Sequence, residues 1–225
     1  MQIKFLGHAA VLLDDGNTKL LVDPFLSGNP KAAVGADELE PDLILLTHGH
    51  GDHVGDTVSI AKRTGAPVLA IVELAGELEG EGLETFAPNL GGTVKFDWGW
   101  VKMVPAWHTS TTPNGTVSMA TGLLIEVGGT VVYHLGDTAL FSDLKLVGRR
   151  GDKIDVALVP IGGHFTMDRV DAVTAVEYVD PVVVIPIHYD TFPPIATDAQ
   201  AFKSDVEAYT SAQCVVLAPG ETHAL

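Results

Sequence analysis

The sequence has few basic residues and only one cysteine. Lys and Arg together number 13 against 29 Asp and Glu, so the formal net charge is −16. A chain this acidic lacks the basic face with which proteins bind nucleic acids or anionic lipid surfaces, and neither partner is expected. The single cysteine, Cys214, excludes an internal disulfide. Within the apolar segment 213–218 it is expected to lie buried in a strand.

Long hydrophobic runs are also missing. The apolar runs at 43–46 and 182–187 are far shorter than the ~20 residues of a membrane-spanning helix. No export signal is visible before His8, which leads us to expect a cytoplasmic protein. The 225 residues show no repeat, linker or low-complexity tract, so a single domain over 1–225 is expected. The sequence leaves the oligomeric state open, a homo-oligomer included.

Short apolar and alternating segments indicate many strands, with helices between some of them. Apolar strands such as 43–47 and 182–187 are typical of sheets that are covered on both faces. Helices are predicted at 54–63, 168–179 and 198–210. The expected fold is therefore α/β, a four-layer αββα sandwich of two mixed sheets with helices outside. The remaining predicted strands are 3–6, 10–13, 19–22, 68–72, 93–96, 100–105, 120–127, 130–135, 156–160 and 215–217.

Four side chains that commonly bind metals fall within six residues, directly after the strand predicted at 43–47: His48, His50, Asp52 and His53. His48 and His50 are two residues apart, so in an extended segment they point to the same side. Asp52 and His53 are adjacent and cannot easily reach the same ion. This spacing predicts two metal centres. Imidazole and carboxylate ligands favour zinc, with manganese, nickel and iron as alternatives.

The stretch 48–53 matches H-x-H-x-D-H, the signature of the metallo-β-lactamase superfamily. Segments 6–9 and 21–25 resemble the opening of small bacterial metal-dependent hydrolases similar to the ascorbate-phosphate lactonase branch. The resemblance extends over essentially the whole chain and implies three more ligands. These are His108 for the first metal, Asp137 as a carboxylate bridging both metals, and His188 for the second metal. Each follows a predicted strand, and ligands in layered α/β folds gather beyond the carboxyl ends of strands.

Two divalent ions held by these seven residues predict a hydrolase. Ions in such a site activate a bound hydroxide and polarise a carbonyl or phosphoryl oxygen. The expected substrate is a small molecule. The resemblance makes a lactone or another ester the first choice and a phosphodiester the second. No basic residue lies inside the ligand motifs, and the nearest by sequence are Lys145, Arg149 and Arg169.

Two alternatives belong to other classes of protein. A di-iron redox protein of the same fold would carry glutamate at the second histidine of the motif, and His50 speaks against it. A non-catalytic metal-binding protein would lack ligands, whereas every position implied by the resemblance is filled.

Several residues are candidates for roles around the metals. Asp52 is expected both to hold the second metal and to accept a hydrogen bond from the attacking hydroxide. His164, after a predicted strand, is expected to face the substrate and to donate a hydrogen bond without binding metal. Asp23 is predicted to accept the outer ring proton of a ligand histidine. His8 is expected either beside Asp23 or in the core, and His134 in the core.

Overall fold

Two seven-stranded sheets form the centre of the fold in the computed structural model, which describes residues 1–148 and 153–225. The first sheet contains β1 (Gln2–Gly7), β2 (Ala10–Asp14), β3 (Lys19–Val22), β4 (Leu43–Leu45), β5 (Val68–Leu69), β6 (Thr85–Phe86) and β14 (Thr222–Ala224). The second contains β7 (Thr93–Phe96), β8 (Gly99–Pro105), β9 (Thr121–Val127), β10 (Thr130–His134), β11 (Val156–Pro160), β12 (Val183–Ile187) and β13 (Gln213–Cys214).

Each sheet is antiparallel on one side and parallel on the other. In the first sheet, β14, β1, β2 and β3 are antiparallel neighbours, and β3 to β6 run parallel. In the second, β7 to β10 are antiparallel and β10 to β13 run parallel. Parallel neighbours end at the same edge of a sheet, so the residues that follow β4, β10, β11 and β12 can come close together.

Helices cover the outer faces of both sheets. They are α1 (Gly51–Val54), α2 (Thr57–Thr64), α3 (Val72–Gly80), α4 (Arg169–Val179) and α5 (Ala199–Tyr209), with short 3₁₀ helices at Ala36–Glu38, Ser142–Leu146 and Pro193–Ile195. The side chains of Asp168 and Asp198 cap α4 and α5 by accepting backbone N–H groups. Within the described ranges, no helix is both long and apolar enough to cross a membrane.

The alternation of side chains in the second sheet explains its apolar sequence. In β11, Val156 and Leu158 belong to the core between the sheets, whereas Ala157 and Val159 pack in the cluster under α4 and α5. Both faces of the strand are therefore covered, as its apolar sequence requires. The predicted four-layer αββα sandwich is confirmed. Cys214 is buried in β13 as expected, and burial raises the pKa of its thiol to about 12.

The predicted helix at 54–63 is wrong in its first turn, because the chain breaks at Gly55. Gly55 has φ +42°, and a Cβ at this position would come within 2.4 Å of the Pro24 carbonyl oxygen. Only glycine fits such a close approach, so α1 ends at Val54 and α2 begins at Thr57.

Two further boundaries differ from the prediction. The strand predicted at 68–72 ends at Leu69, and the unpredicted α3 begins at Val72. Two glycines within α3 give it a weak helical signal in the sequence. The strand predicted at 215–217 is also wrong, because β13 precedes it and the last strand is β14. β14 is a strand because it pairs with β1 at the other end of the chain.

Candidate metal centre

Three histidines form what we call the first ligand group: His48, His50 and His108. His48 and His50 follow β4, and His108 follows β8. One ring nitrogen of each lies within 4.8 Å of those of the other two, and His48 Nε2 is 3.0 Å from His50 Nδ1. His48 is buried, whereas His50 and His108 are partly exposed. This group therefore opens toward solvent on one side.

The second ligand group consists of His8, Asp52, His53 and His188, whose donor atoms also lie within 4.8 Å of one another. Asp52 Oδ2 is 3.1 Å from His8 Nε2 and 3.8 Å from His188 Nε2. The three histidines are buried, and the Asp52 side chain is 34% exposed. Asp52 is thus the solvent-facing member of this group.

The carboxylate of Asp137 lies between the two groups. Its Oδ2 is 3.1 Å from His188 Nε2 and 3.4 Å from His53 Nε2 in the second group. The same oxygen is 3.5 Å from His108 Nε2 and 4.0 Å from His48 Nε2 in the first group. One buried oxygen therefore faces ligands of both groups, which is the arrangement expected of a bridging carboxylate.

The donor atoms at the centre fit divalent metal ions. His53 Nε2, His188 Nε2 and Asp137 Oδ1 are buried and have no hydrogen-bond partner among the described residues. A buried polar atom without a partner costs about 1–3 kcal/mol, so such atoms normally contact a ligand. Imidazole nitrogens and carboxylate oxygens are suitable ligands for zinc and related ions. The residues present therefore fit an ion in each group, with Asp137 between them.

A second layer of contacts orients the ligand histidines. Asp23 Oδ2 is 2.7 Å from His53 Nδ1, and Asp23 accepts hydrogen bonds from the Thr47 amide (2.9 Å) and the Thr47 hydroxyl (2.6 Å). The same hydroxyl is 3.0 Å from His48 Nδ1. Asp23 is therefore in the position expected for the acceptor of an outer ring proton. Thr47 was not singled out in the sequence, although its place directly before His48 was a signal.

The charges of the second group are coupled to those of Asp137 and Asp23. Burial alone would lower the pKa of His53, but the carboxylates of Asp137 and Asp23 raise it well above its usual value. Burial opposes protonation of His188 too, yet Asp137 raises its pKa to about 9. Burial lowers the pKa of His48 well below its usual value. The raised pKa values favour protonated imidazoles in the metal-free protein, and an ion bound to the same nitrogens would displace those protons.

Sequence similarity shows the family of the chain. A family model described as a β-lactamase superfamily domain matches residues 2–188. The chain belongs to the metallo-β-lactamase superfamily. It is 52% identical to a UPF0173 metal-dependent hydrolase of Thermus thermophilus over 203 residues, which cover 90% of this chain and 89% of the relative. It is 46% identical to the corresponding protein of Thermococcus kodakarensis over 223 residues, covering 98% of each. This superfamily member therefore falls among relatives named metal-dependent hydrolases.

Solved structures of the superfamily share the fold. A metallo hydrolase of Ignicoccus hospitalis has a TM-score of 0.90 and 35% identity, covering 99% of this chain and 97% of that protein. A diiron β-hydroxylase of Streptomyces venezuelae has a TM-score of 0.77 and 21% identity, covering 100% of this chain and 54% of that protein. The second likeness shows the fold alone, so the superfamily fold by itself does not decide between hydrolysis and redox chemistry.

His134 is a buried structural residue in this superfamily member. Its Nε2 is 3.0 Å from the Ala9 carbonyl oxygen, and its Nδ1 accepts the Gly136 N–H at 3.1 Å. These contacts define a neutral ring that donates through Nε2. The ring joins the two sheets and holds the turn that leads to Asp137. The expectation of a core role for His134 is confirmed.

His164 lies outside both ligand groups. It is exposed, and its ring packs edge-on against Phe165 with the centroids 4.6 Å apart. Gly162, two residues before it, is close to the backbone of a candidate ligand, because a Cβ there would collide with the His188 carbonyl oxygen. The loop of His164 therefore packs against the backbone of His188. The role of the His164 imidazole remains a prediction.

The loop after His108 lies over the first ligand group. Ser110 Oγ accepts the Gly49 N–H at 3.0 Å. A Cβ on Gly49 would come within 2.9 Å of the Thr112 methyl carbon, so a side chain between His48 and His50 would displace Thr112. Thr112 and Asn114 donate hydrogen bonds to the Glu77 carboxylate at 2.6 and 2.9 Å. Helix α3, which the sequence analysis missed, therefore anchors this loop.

The basic residues nearest in sequence to the ligands have other contacts. Arg169 Nε is 3.3 Å from Asp205 Oδ2. The Lys145 ammonium lies 3.9 Å from the centre of the Tyr178 ring. Arg149 lies outside the described residues. Neither Arg169 nor Lys145 therefore forms a phosphate-binding pair at the metal centre.

Proposed function

We propose that this chain is a hydrolase with two divalent ions, zinc as the first choice, and that residues 1–225 act as one domain. The Asp137 oxygen between the two groups is the observation that carries the proposal. His48, His50 and His108 would hold one ion, and Asp52, His53 and His188 the other, with Asp137 shared. When bound, such ions supply a hydroxide nucleophile and polarise the bond to be broken.

Three side chains would orient the reacting groups and donate or accept hydrogen bonds during the reaction. Asp52 is the solvent-facing carboxylate of the second group, so one of its oxygens is free to accept a hydrogen bond from the attacking group. Asp23 would keep the ring of His53 oriented by holding its Nδ1–H. His164 is exposed on the loop whose Gly162 packs against the backbone of His188, and it would donate a hydrogen bond to the developing oxyanion or leaving group.

A neutral ester, with a lactone as the first choice, is the proposed substrate. Arg169 and Lys145 are engaged with Asp205 and Tyr178, which removes two candidates for binding a phosphate. Large apolar side chains are exposed next to two candidate site residues in the chain: Trp107 (69%) directly before His108, and Phe165 (54%) directly after His164. Such surfaces favour an apolar substrate group over a charged one. The proposed place of action is the cytoplasm, as expected from the sequence.

Metal analysis combined with a substrate panel tests this function. The purified protein, reconstituted separately with zinc, manganese, nickel and iron, is expected to bind close to two ions per chain. It should hydrolyse members of a lactone panel in preference to phosphodiesters and thioesters. Binding of one ion or fewer with excess zinc would contradict the two-metal proposal. Turnover of phosphodiesters alone, or oxygen consumption by the iron form without hydrolysis, would replace the proposed reaction.

A further inference from the structure

His8 is the member of the second ligand group that the H-x-H-x-D-H motif does not contain. Its Nε2 is 3.1 Å from Asp52 Oδ2, and its Nδ1 is 2.8 Å from the Thr191 hydroxyl. His188 Nε2, at 3.8 Å, is beyond hydrogen-bond distance from the same Asp52 oxygen. Within the described residues, His8 is therefore the side chain that hydrogen-bonds Asp52.

The backbone around His8 is shaped to place this ring. His8 has φ +59°, a left-handed conformation that residues other than glycine adopt at a cost. Gly7 before it has φ +112°, and a Cβ there would lie 2.6 Å from the Lys31 carbonyl oxygen. The His8 carbonyl accepts the N–H of His188 at 2.7 Å. This bond joins the ends of β1 and β12 across the metal centre, so His8 is positioned by both sheets.

The surroundings of the ring leave it few other partners. The rings of Phe25 and Phe192 both lie edge-on to His8, each at 5.7 Å between centroids. His8 is 1% exposed, so bulk water does not compete for its nitrogens. Asp52, in contrast, is the member of the second group that is open to solvent. An exposed carboxylate samples several rotamers unless a donor holds it.

We propose that His8 is a positioning residue that holds the Asp52 carboxylate through an Nε2–H hydrogen bond and is not itself a metal ligand. The Asp52 carboxylate can only accept, so the proton of the neutral ring is on Nε2, and Nδ1 then accepts from the Thr191 hydroxyl. With its orientation fixed by His8, the Asp52 carboxylate can present its oxygens to the ion and to the attacking group. The inference rests on the proposed function, because it assumes that Asp52 binds the second ion.

Two variants of equal length separate a positioning role from a ligand role. His8→Gln keeps an N–H donor at about the distance of Nε2, whereas His8→Met has a similar length and no donor. Both carry the same backbone strain at this position. Co²⁺ serves as the probe, because its absorption spectrum reports the coordination of each ion during titration. Circular dichroism and Tm of the metal-free variants serve as the folding control.

His8→Met is expected to weaken the second Co²⁺ by about 10–100-fold, the usual effect of losing a partner of a metal ligand. His8→Gln is expected to restore binding of both ions with spectra like those of the wild type. Equal weakening in both variants would show that His8 is a ligand, and unchanged binding in His8→Met would show that it only packs. Either result overturns the inference. Failure of the wild type to bind two Co²⁺ ions would contradict the proposed function instead.

Thr191 provides an independent test that leaves His8 in place. Thr191→Val removes the hydroxyl that donates to Nδ1, and Thr191→Ser keeps it. The valine variant is expected to weaken the second Co²⁺ by several-fold, whereas the serine variant should bind like the wild type. Equal affinities for the valine and serine variants would contradict the proposed role of the tautomer.

Discussion

The two ligand groups differ in how the protein supports them. In the first group, His50 and His108 are partly exposed, and two rings have an outer contact, His48 Nδ1 with the Thr47 hydroxyl at 3.0 Å and His50 Nε2 with the Thr109 hydroxyl at 3.5 Å. In the second group, three histidines are buried, and His53 and His8 each have an outer partner on the ring nitrogen facing away from the centre. The second group is therefore the more deeply buried of the two.

The difference in burial bears on two properties of the candidate centre, namely how tightly each group binds an ion and how easily a substrate reaches it. Buried and oriented ligands lose little freedom when an ion binds, which favours tight binding. Partly exposed ligands permit exchange of ions and access of substrate. Two of the second-group histidines, His8 and His188, also have left-handed backbone conformations at φ +59° and +55°. Backbone strain of this kind concentrates at functional sites, so it supports the view that this group is built for one geometry.

The largest expected effect comes from removing the residue that joins the two groups. Asp137→Ala is expected to lose at least one of the two ions and to lower turnover by about 10³-fold or more, because the bridging charge is removed. Metal stoichiometry and kcat measured on the same preparation check this. Full occupancy by two ions in this variant would show that Asp137 does not bridge the groups.

The next effect distinguishes residues inside the groups from those outside. His164→Ala is expected to keep both ions and to lose about 10²–10³-fold in kcat, the usual cost of one lost donor. His48→Ala is expected to lose both metal and activity. Side-by-side measurement of metal content and kcat decides the role of His164. Loss of metal would identify it as a ligand, and full activity would make it an ordinary loop residue.

Stepwise removal of metal tests whether the two groups differ in their affinity for an ion. A chelator added in increasing amounts is expected to remove one ion before the other, and the first ion lost should be that of the exposed first group. His108→Ala should then abolish the early phase, whereas Asp52→Ala should alter the late phase. Release of both ions in a single phase would mean that the two groups do not differ in affinity.

The smallest effect is the pH dependence of the metal-free protein. Folding raises the pKa of His53 well above its ordinary value and that of His188 to about 9. A raised pKa stabilises the folded protein below about pH 6.5, and this stabilisation is lost as the pH rises through the folded value.

The Tm of the chelated protein should therefore fall between pH 6.5 and 9.5. His188→Gln serves as the control variant, and its Tm should vary less over this range. A metal-free Tm that rises with pH would contradict the assignment of protons to the second group.

Most of the fold and most of the candidate site could be predicted from the sequence. Strands β4, β11 and β12 are recognisable in the sequence because both of their faces are apolar, and candidate ligands follow β4 and β12 directly. Helix α3 was missed because its glycines hide the helical pattern, and with it the anchoring of the loop by Glu77. Gly55 was read as part of a helix because nothing in the local sequence shows how closely Pro24 approaches it.

The sequence by itself predicted seven candidate ligands, four from one local motif and three from the resemblance to the superfamily. Only the tertiary structure decided how the donors are divided and supported. His8 and Thr191 are separated by 183 positions and His53 and Asp23 by 30, so no local pattern relates them. These contacts exist because the two sheets pack face to face and bring the ends of their parallel strands to one edge.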